Sequence, residues 1–396
     1  MSDCIITRRD GFVTIEFDNY KVYSDTFTRS TPTQLSVARD TLAGASVGNY
    51  ALFAGGWTSF ASNVVDAYNI NLTRSTPATL SVARDRLAGA SVGEYALFAG
   101  GYTGSVYASA VDAYNTDLTR STPTALSDAR QLLTGASVGN YALFAGGYTG
   151  SVYAVVDAYD TDLTCSTPAT LSVARCELAG ASVGDYALFA GGYTGSAYSA
   201  VVDAYDTDLT RSTPTTLSVA RDTLAGASVG NYALFAGGYT GSVSAVVDAY
   251  DTDLTRSTPT SLSTARRYLR GASMDTHALF AGGSTGSLTS SLNAVDAYDT
   301  DLTRSTPTAL STTTNRGAGV SFRTYALFGG GYAGYGPSSV VDAYSADLVS
   351  STYLPITAGS KYKLNSTTET TATKNTVIKV SVPITGYIKY KGGKFE

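Results

Sequence analysis

Residues Arg221 to Tyr250 read RDTLAGASVGNYALFAGGYTGSVSAVVDAY, and this stretch decides the fold. It holds three short runs of strand-forming residues, LAGASVG, YALFAGG and VVDAY, separated by turn residues. Aromatic and β-branched residues bounded by glycine and asparagine favour strands over helices. A fourth run, LTRSTP, follows before a polar link of the type TTLSVARD leads into the next copy. The proline after the fourth run sits where it interrupts no central ladder.

The stretch recurs along the chain. The double glycine appears at Gly55-Gly56, Gly100-Gly101, Gly146-Gly147, Gly191-Gly192, Gly237-Gly238, Gly282-Gly283 and Gly330-Gly331, a period of about 46 residues. Each pair is followed by VDAY, at Asp66, Asp112, Asp157, Asp203, Asp248, Asp296 and Asp342. The copies are nearly identical. Outside the loop after the glycines, the unit from Cys165 differs from the unit from Arg211 at five positions, which points to recent tandem duplication. Four strands per period and seven periods define an all-β fold, a seven-bladed β-propeller. The small Gly226, Ala227 and Ser228 place the first strand at the crowded axis. Leu234 and Phe235 belong to the wider core, and Tyr250 between adjacent blades.

The glycine pair, the loop and the tyrosine strand resemble the kelch repeat in all seven units. The arginine ahead of the first strand, at Arg39, Arg84, Arg130, Arg175, Arg221 and Arg266, resembles it too. The kelch tryptophan after the tyrosine strand is missing; the region reads DTDLT, and Leu209 and its equivalents are expected to fill the space. The resemblance covers roughly residues 20–350. It implies a propeller and little about function, because such rings serve both as binding scaffolds and as enzyme domains. Near-identical arrays of this kind are similar to proteins of bacteria and their phages.

Three segments follow: an N-terminal segment 1–30, the propeller 31–350 and a Thr-rich tail 351–396 read as a small β appendix. Lys21 to Arg29 (KVYSDTFTR) align with the third and fourth strands, so Phe27–Ser30 is expected to supply the outer strand of the last blade. The tail carries seven of the eight lysines and a net charge of +5, leaving −10 for the rest. Two readings are open for it: a plain solvated hairpin packed on the ring, or a module for oligomerisation or attachment to a particle.

Composition narrows the functions. Charged residues are 15% of 396, the net charge is −5 and there is one histidine. An acidic balance argues against nucleic acid as partner. A single histidine excludes multi-histidine metal sites, and no cofactor or metal is expected. No 18-residue apolar run spans a membrane, and the start has no Sec signal, so a cytoplasmic chain is expected, with virion association as the alternative. Cys165 and Cys176 stand where other units have Arg and mostly Asp, and are read as drift. His277 replaces a repeated tyrosine and is read the same way. No nucleotide-binding, esterase or metalloprotease motif is present, so the chain is expected not to be an enzyme.

Strand reversal puts the loop between strands two and three and the link between blades on one face. That face carries the segments that vary in length, and aromatics at Trp57, Tyr102, Tyr148, Tyr193, Tyr239 and Tyr332, with Tyr107, Tyr153 and Tyr198 further along the loops; Ser284 breaks the series. Tyrosine, serine and glycine are the residues of adaptable binding surfaces. Arginine with tyrosine is hot-spot chemistry, so the six arginines join the candidate site. The alternative for them is a repeated structural task, pairing with an acid or a carbonyl. The expected function is a non-enzymatic scaffold docking a protein or peptide on this face; the alternative is a glycan- or surface-binding module or a structural component of a phage tail. On the opposite face, Asp160 and Asp162 and their equivalents are read as turn residues rather than calcium ligands.

Overall fold

A computed structural model describes residues 5–9, 12–16, 23–287, 289–348, 361–362, 370–371 and 388–391. Strands make up the regular structure, and there is no helix among the described residues. The chain divides into two compact units, Arg29–Ser345, and Met1–Thr28 with Ala346–Glu396.

The larger unit is the propeller. Blades one to seven open on Ala43–Val47, Ala88–Val92, Thr134–Val138, Ala179–Val183, Ala225–Val229, Arg270–Ser273 and Ala318–Phe322. Each is a four-stranded antiparallel sheet. Blade five runs Ala225–Val229, Tyr232–Ala236, Val247–Tyr250, Arg256–Ser257 in sequence order. Blade seven takes its fourth strand from the other end of the chain, in the order Ala318–Phe322, Tyr325–Gly329, Val341–Leu348, Tyr23–Ser30. Arg29 on that strand donates to Ala309 O at 3.0 Å and lies 3.6 Å from Asp342.

The axis explains the small residues. A Cβ on Gly226 would lie 2.2 Å from the carbonyl oxygen of Gly180, so neighbouring first strands touch backbone to backbone. The serines stitch the blades there: Ser228 Oγ donates to Ser182 O and Ser182 Oγ to Ser137 O, both at 2.6 Å. Further out, Leu234, Phe235 and Ala236 are wholly buried. Tyr250 is buried with Ala179 and Leu188 of blade four and with Phe235 of its own blade, edge-on at 6.0 Å. Its hydroxyl donates to Thr215 O at 2.8 Å, as a buried phenol must find an acceptor. Leu209 and its equivalents pack on the neighbouring core, as at Leu209 in the cluster of Leu143, Val156 and Phe189. The turn before each is an Asx turn: Asp206 Oδ1 accepts from the backbone N–H of Asp208 and of Thr210 at 3.0 and 2.8 Å.

In the smaller unit, Phe12–Glu16 pairs antiparallel with both Ile5–Arg9 and Ile388–Lys391, and Lys361–Tyr362 pairs with Thr370–Thr371. The sequence boundaries at 30 and 350 separate two terminal segments that pair with each other here. Most of the 351–396 tail, and with it the choice between hairpin and attachment module, lies outside the described residues.

Candidate functional site: the mouth of the ring

The arginines of the links come first, because they organise the face. Arg39, Arg84, Arg130, Arg175, Arg221 and Arg266 are wholly buried. Each holds the aspartate of its own third strand, as Arg221 Nη2 holds Asp248 Oδ2 at 2.8 Å. Each also donates to the next-to-last carbonyl of the second strand, as Arg221 does to Phe235 O at 3.0 Å. The other carboxylate oxygen accepts from the link, Ser218 N–H to Asp248 Oδ1 at 3.0 Å, and from the fourth strand, Arg256 Nη1 at 3.2 Å. In blades one, two, four, five and six this Arg–Asp–Arg triad pins the link to the sheet. The six arginines are therefore not ligand contacts: a guanidinium with no exposed surface and a carboxylate partner has nothing left to offer a docked molecule. The structural alternative holds for them. The charge itself is disfavoured by burial, which pulls the Arg221 pKa below its ordinary value against the pull of Asp248.

The nine aromatics stand differently. Trp57, Tyr102, Tyr107, Tyr148, Tyr153, Tyr193, Tyr198, Tyr239 and Tyr332 are all half-buried, with part of each ring open to solvent. The loop after the double glycine folds back on the link. The first loop residue pairs with the residue following the arginine: Asp40 with Trp57, Asp85 with Tyr102, Gln131 with Tyr148, Cys176 with Tyr193, Asp222 with Tyr239, Arg267 with Ser284 and Asn315 with Tyr332. Gly237 and Gly238 allow that reversal with φ of +66° and +109°, angles that side chains resist. Loops and links thus share one face. The tyrosines also touch across blades, Tyr107 to Tyr148 at 6.3 Å and Tyr198 to Tyr239 at 5.7 Å between ring centres. Phe60 and Tyr335 project from the loop tips, largely exposed.

Inside this crown lies a feature that sequence reasoning missed. Thr41, Arg86, Leu132, Glu177, Thr223, Tyr268 and Arg316, one from each link, form a closed collar. The N–H of each donates to the carbonyl of the preceding member, with Thr41 closing on Arg316 O, at 2.8 to 3.1 Å. All seven have φ between +50° and +56°. That backbone state costs a residue with a side chain about 1 kcal/mol or more. The turn leucines share it, but their identity is constant because they pack on a core; Leu209 and Leu254 have φ of +61° and +59°. The collar residues differ from blade to blade although their backbones do not. The collar frames a cavity of about 310 Å³, floored by Leu42, Leu87, Leu133, Leu178, Leu224 and Leu269. A separate space of about 240 Å³ lies along the axis, lined by the Gly-Ala-Ser strands.

The collar is electrically mixed. Arg86 is tied to Asp85 at 3.5 Å and to Gln131 Oε1 at 3.2 Å. The Glu177 carboxylate makes no ion pair or hydrogen bond among the described residues; burial and the nearby Asp222 push its carboxyl up to about 7, against Arg267, Arg316 and Arg86. Asp40, Asp85 and Asp222 are raised as well, chiefly by burial. Cys176 and Glu177 account for two of the five differences between the units from Cys165 and Arg211. A position that varies in an otherwise copied unit was the available signal for the collar. Cys165 lies elsewhere, 3.9 Å from Asp157 where other blades place an arginine, and His277 sits in a second strand, its Nδ1 2.8 Å from Thr276 Oγ1.

Fold and site together define a seven-bladed β-propeller with a crowned, mixed-charge mouth. A solved structure titled "Structure of YjhT" has the same architecture, with a TM-score of 0.55, 13% identity, and coverage of 70% of this chain and 99% of that one. At that identity the likeness concerns the fold alone. No family model matches the sequence. No curated protein matches it either.

Proposed function

We propose that this chain is a non-enzymatic binding module that docks a protein or peptide over the mouth of the ring, on the face of the loops and links. One observation carries this reading. In an array whose blades are near copies, the collar position reads Thr, Arg, Leu, Glu, Thr, Tyr and Arg in turn, and the surrounding loops differ in length, all around one cavity. Rigid half-buried tyrosines around a mixed-charge centre are the chemistry of adaptable protein recognition.

Panning a random peptide library against the full chain tests it. Selected peptides are expected to lose binding to a Tyr107→Ala/Tyr198→Ala variant and to keep it with Asp208→Ala on the opposite face. Peptides that ignore the tyrosine pair, or a glycan array that yields hits where peptides yield none, would overturn the reading.

A further inference from the structure

Blade six breaks the pattern of the other blades where loop and link pair. Elsewhere a short or neutral residue follows the buried arginine and faces an aromatic across the loop–link pair. In blade six the sizes are exchanged: Arg267 faces Ser284. The Arg267 guanidinium donates to Gly286 O at 2.8 Å and lies 4.5 Å from the ring centre of Tyr239 and 5.0 Å from that of Tyr268. Arg316 of blade seven lies 5.7 Å from the ring centre of Tyr268. Tyr193 and Tyr198, 5.9 Å apart, continue the run through Tyr239. A continuous stack therefore passes from the rim of blade four to the collar of blade seven: Tyr193, Tyr198, Tyr239, Arg267, Tyr268, Arg316.

The stack holds two cations in place without neutralising them. Neither Arg267 nor Arg316 forms an ion pair among the described residues, and Arg316 donates no side-chain hydrogen bond among them. The fields of Asp40, Glu177 and Asp222 reach them, yet no ion pair joins any of the three to Arg267 or Arg316 among the described residues. Arg316 and Tyr268 both line the cavity of the mouth. Stacking on tyrosine spends no guanidinium N–H, so the Arg316 Nη groups stay available for an oxyanion, and Arg267 keeps Nη1 beside its Nη2 bond to Gly286 O. A fixed fork also loses less entropy on binding than a mobile one.

We propose that the mouth between blades six and seven is an oxyanion site, in which Arg316 and Arg267, each held against the ring of Tyr268, bind a carboxylate or phosphate group of the ligand. Tyr268 adds its hydroxyl as a donor. The leucine floor takes the apolar part of the same ligand, and Glu177, whose field reaches both arginines and Tyr268, is a competing carboxylate on the same collar. This rests on the reading of the face as a docking surface and names the group that anchors the ligand there.

The test uses the full chain and small anions, so that it is independent of any peptide. Isothermal titration with acetate and with inorganic phosphate, at constant ionic strength set by chloride, is expected to show saturable binding of at least one, and the tighter names the source. Arg316→Gln and Arg267→Gln are each expected to weaken it about tenfold or more. Arg316→Lys, which keeps the charge but not the fork, is expected to fall between. Arg323→Gln, an exposed arginine at the turn after the first strand of blade seven, should leave binding unchanged. Circular dichroism confirms that each variant is folded, and the Arg267 and Arg316 variants probe the site from two different blades. Binding of neither anion, or equal binding by wild type and both glutamine variants, overturns the proposal. Anion binding without peptide capture would overturn the docking reading alone, and tyrosine-dependent peptide capture without anion binding would overturn the oxyanion site alone.

Discussion

Blade five and blade seven are built from the same repeat, yet they neutralise their buried aspartate by different means. In blade five, Asp248 sits between Arg221 and Arg256, both from the blade's own copy of the repeat. In blade seven the first arginine is missing, since Thr314 stands in its place. Arg270, at a position that is alanine in most blades, reaches across from blade six instead. Its guanidinium is buried, donating to Thr314 Oγ1 at 2.5 Å and Gly330 O at 3.2 Å. Gly317 makes the room: a Cβ there would come within 2.3 Å of Arg270 Nη1, and most other blades have leucine. The fourth-strand arginine is Arg29, 3.6 Å from Asp342 and held less closely than its counterparts. The comparison teaches that the repeat tolerates a moved cation: Arg270 acts on Asp342 through its field, while Ser311 supplies the direct hydrogen bonds. Burial pulls Arg270 down to about 10, and Asp342 is pushed up from its ordinary range by the same cause.

The largest effect should come from breaking blade five. Arg221→Ala leaves Asp248 buried beside a single, half-buried arginine, and should cost about 3–5 kcal/mol by urea denaturation. A loss under about 1 kcal/mol would mean that the triads do not hold the links. Next, Arg270→Ala should cost about 2–3 kcal/mol, because a buried hydroxyl and a carbonyl lose a charged donor. The triple change Arg270→Ala, Thr314→Arg, Gly317→Leu should recover most of that loss by rebuilding blade seven in the manner of blade five. A triple variant no more stable than the single would break the comparison. A smaller effect is expected in blade three, where Cys165 replaces the fourth-strand arginine beside Asp157. Cys165→Arg should stabilise by about 0.5–1 kcal/mol, since this slot is partly solvated.

The smallest effect concerns the collar. Burial raises the folded pKa of Glu177 to about 7 from an ordinary value of 4.5, so its favourable share is complete below about 4.5 and is lost as pH rises through 7. Glu177→Gln should therefore leave the melting temperature unchanged near pH 4 and raise it by about 1–2 °C at pH 8. The groups around it are Asp222, Cys176, Arg267, Arg316, Arg86 and Tyr268. An equal shift at both pH values would assign the effect to packing.

Much of this was legible in the chain. The double glycine, the strand runs and the period give seven four-stranded blades, and Gly226 and Tyr250 stand at the axis and between blades as their size demands. The face was legible too, because strand reversal alone brings loops and links together. The site within it was only half legible. The tyrosines could be placed, but the arginines beside them in sequence point the other way, into the sheet. Nothing in the spacing of Arg221 and Asp248, 27 residues apart, shows that they meet. The collar escaped because variation at Thr41, Arg86 and their equivalents resembles drift until the ring places all seven around one cavity.

The sequence by itself determined the repeat, the strand pattern and hence the ring, because periodic burial is written in local residue types. Tertiary structure decided which charges are spent and which are free. Whether an arginine is a strut or a contact depends on what lies within about 4 Å of it, and in a propeller those neighbours come from other strands and other blades. Arg221 is a strut, Arg270 is a strut lent to the next blade, and Arg316 faces the open mouth.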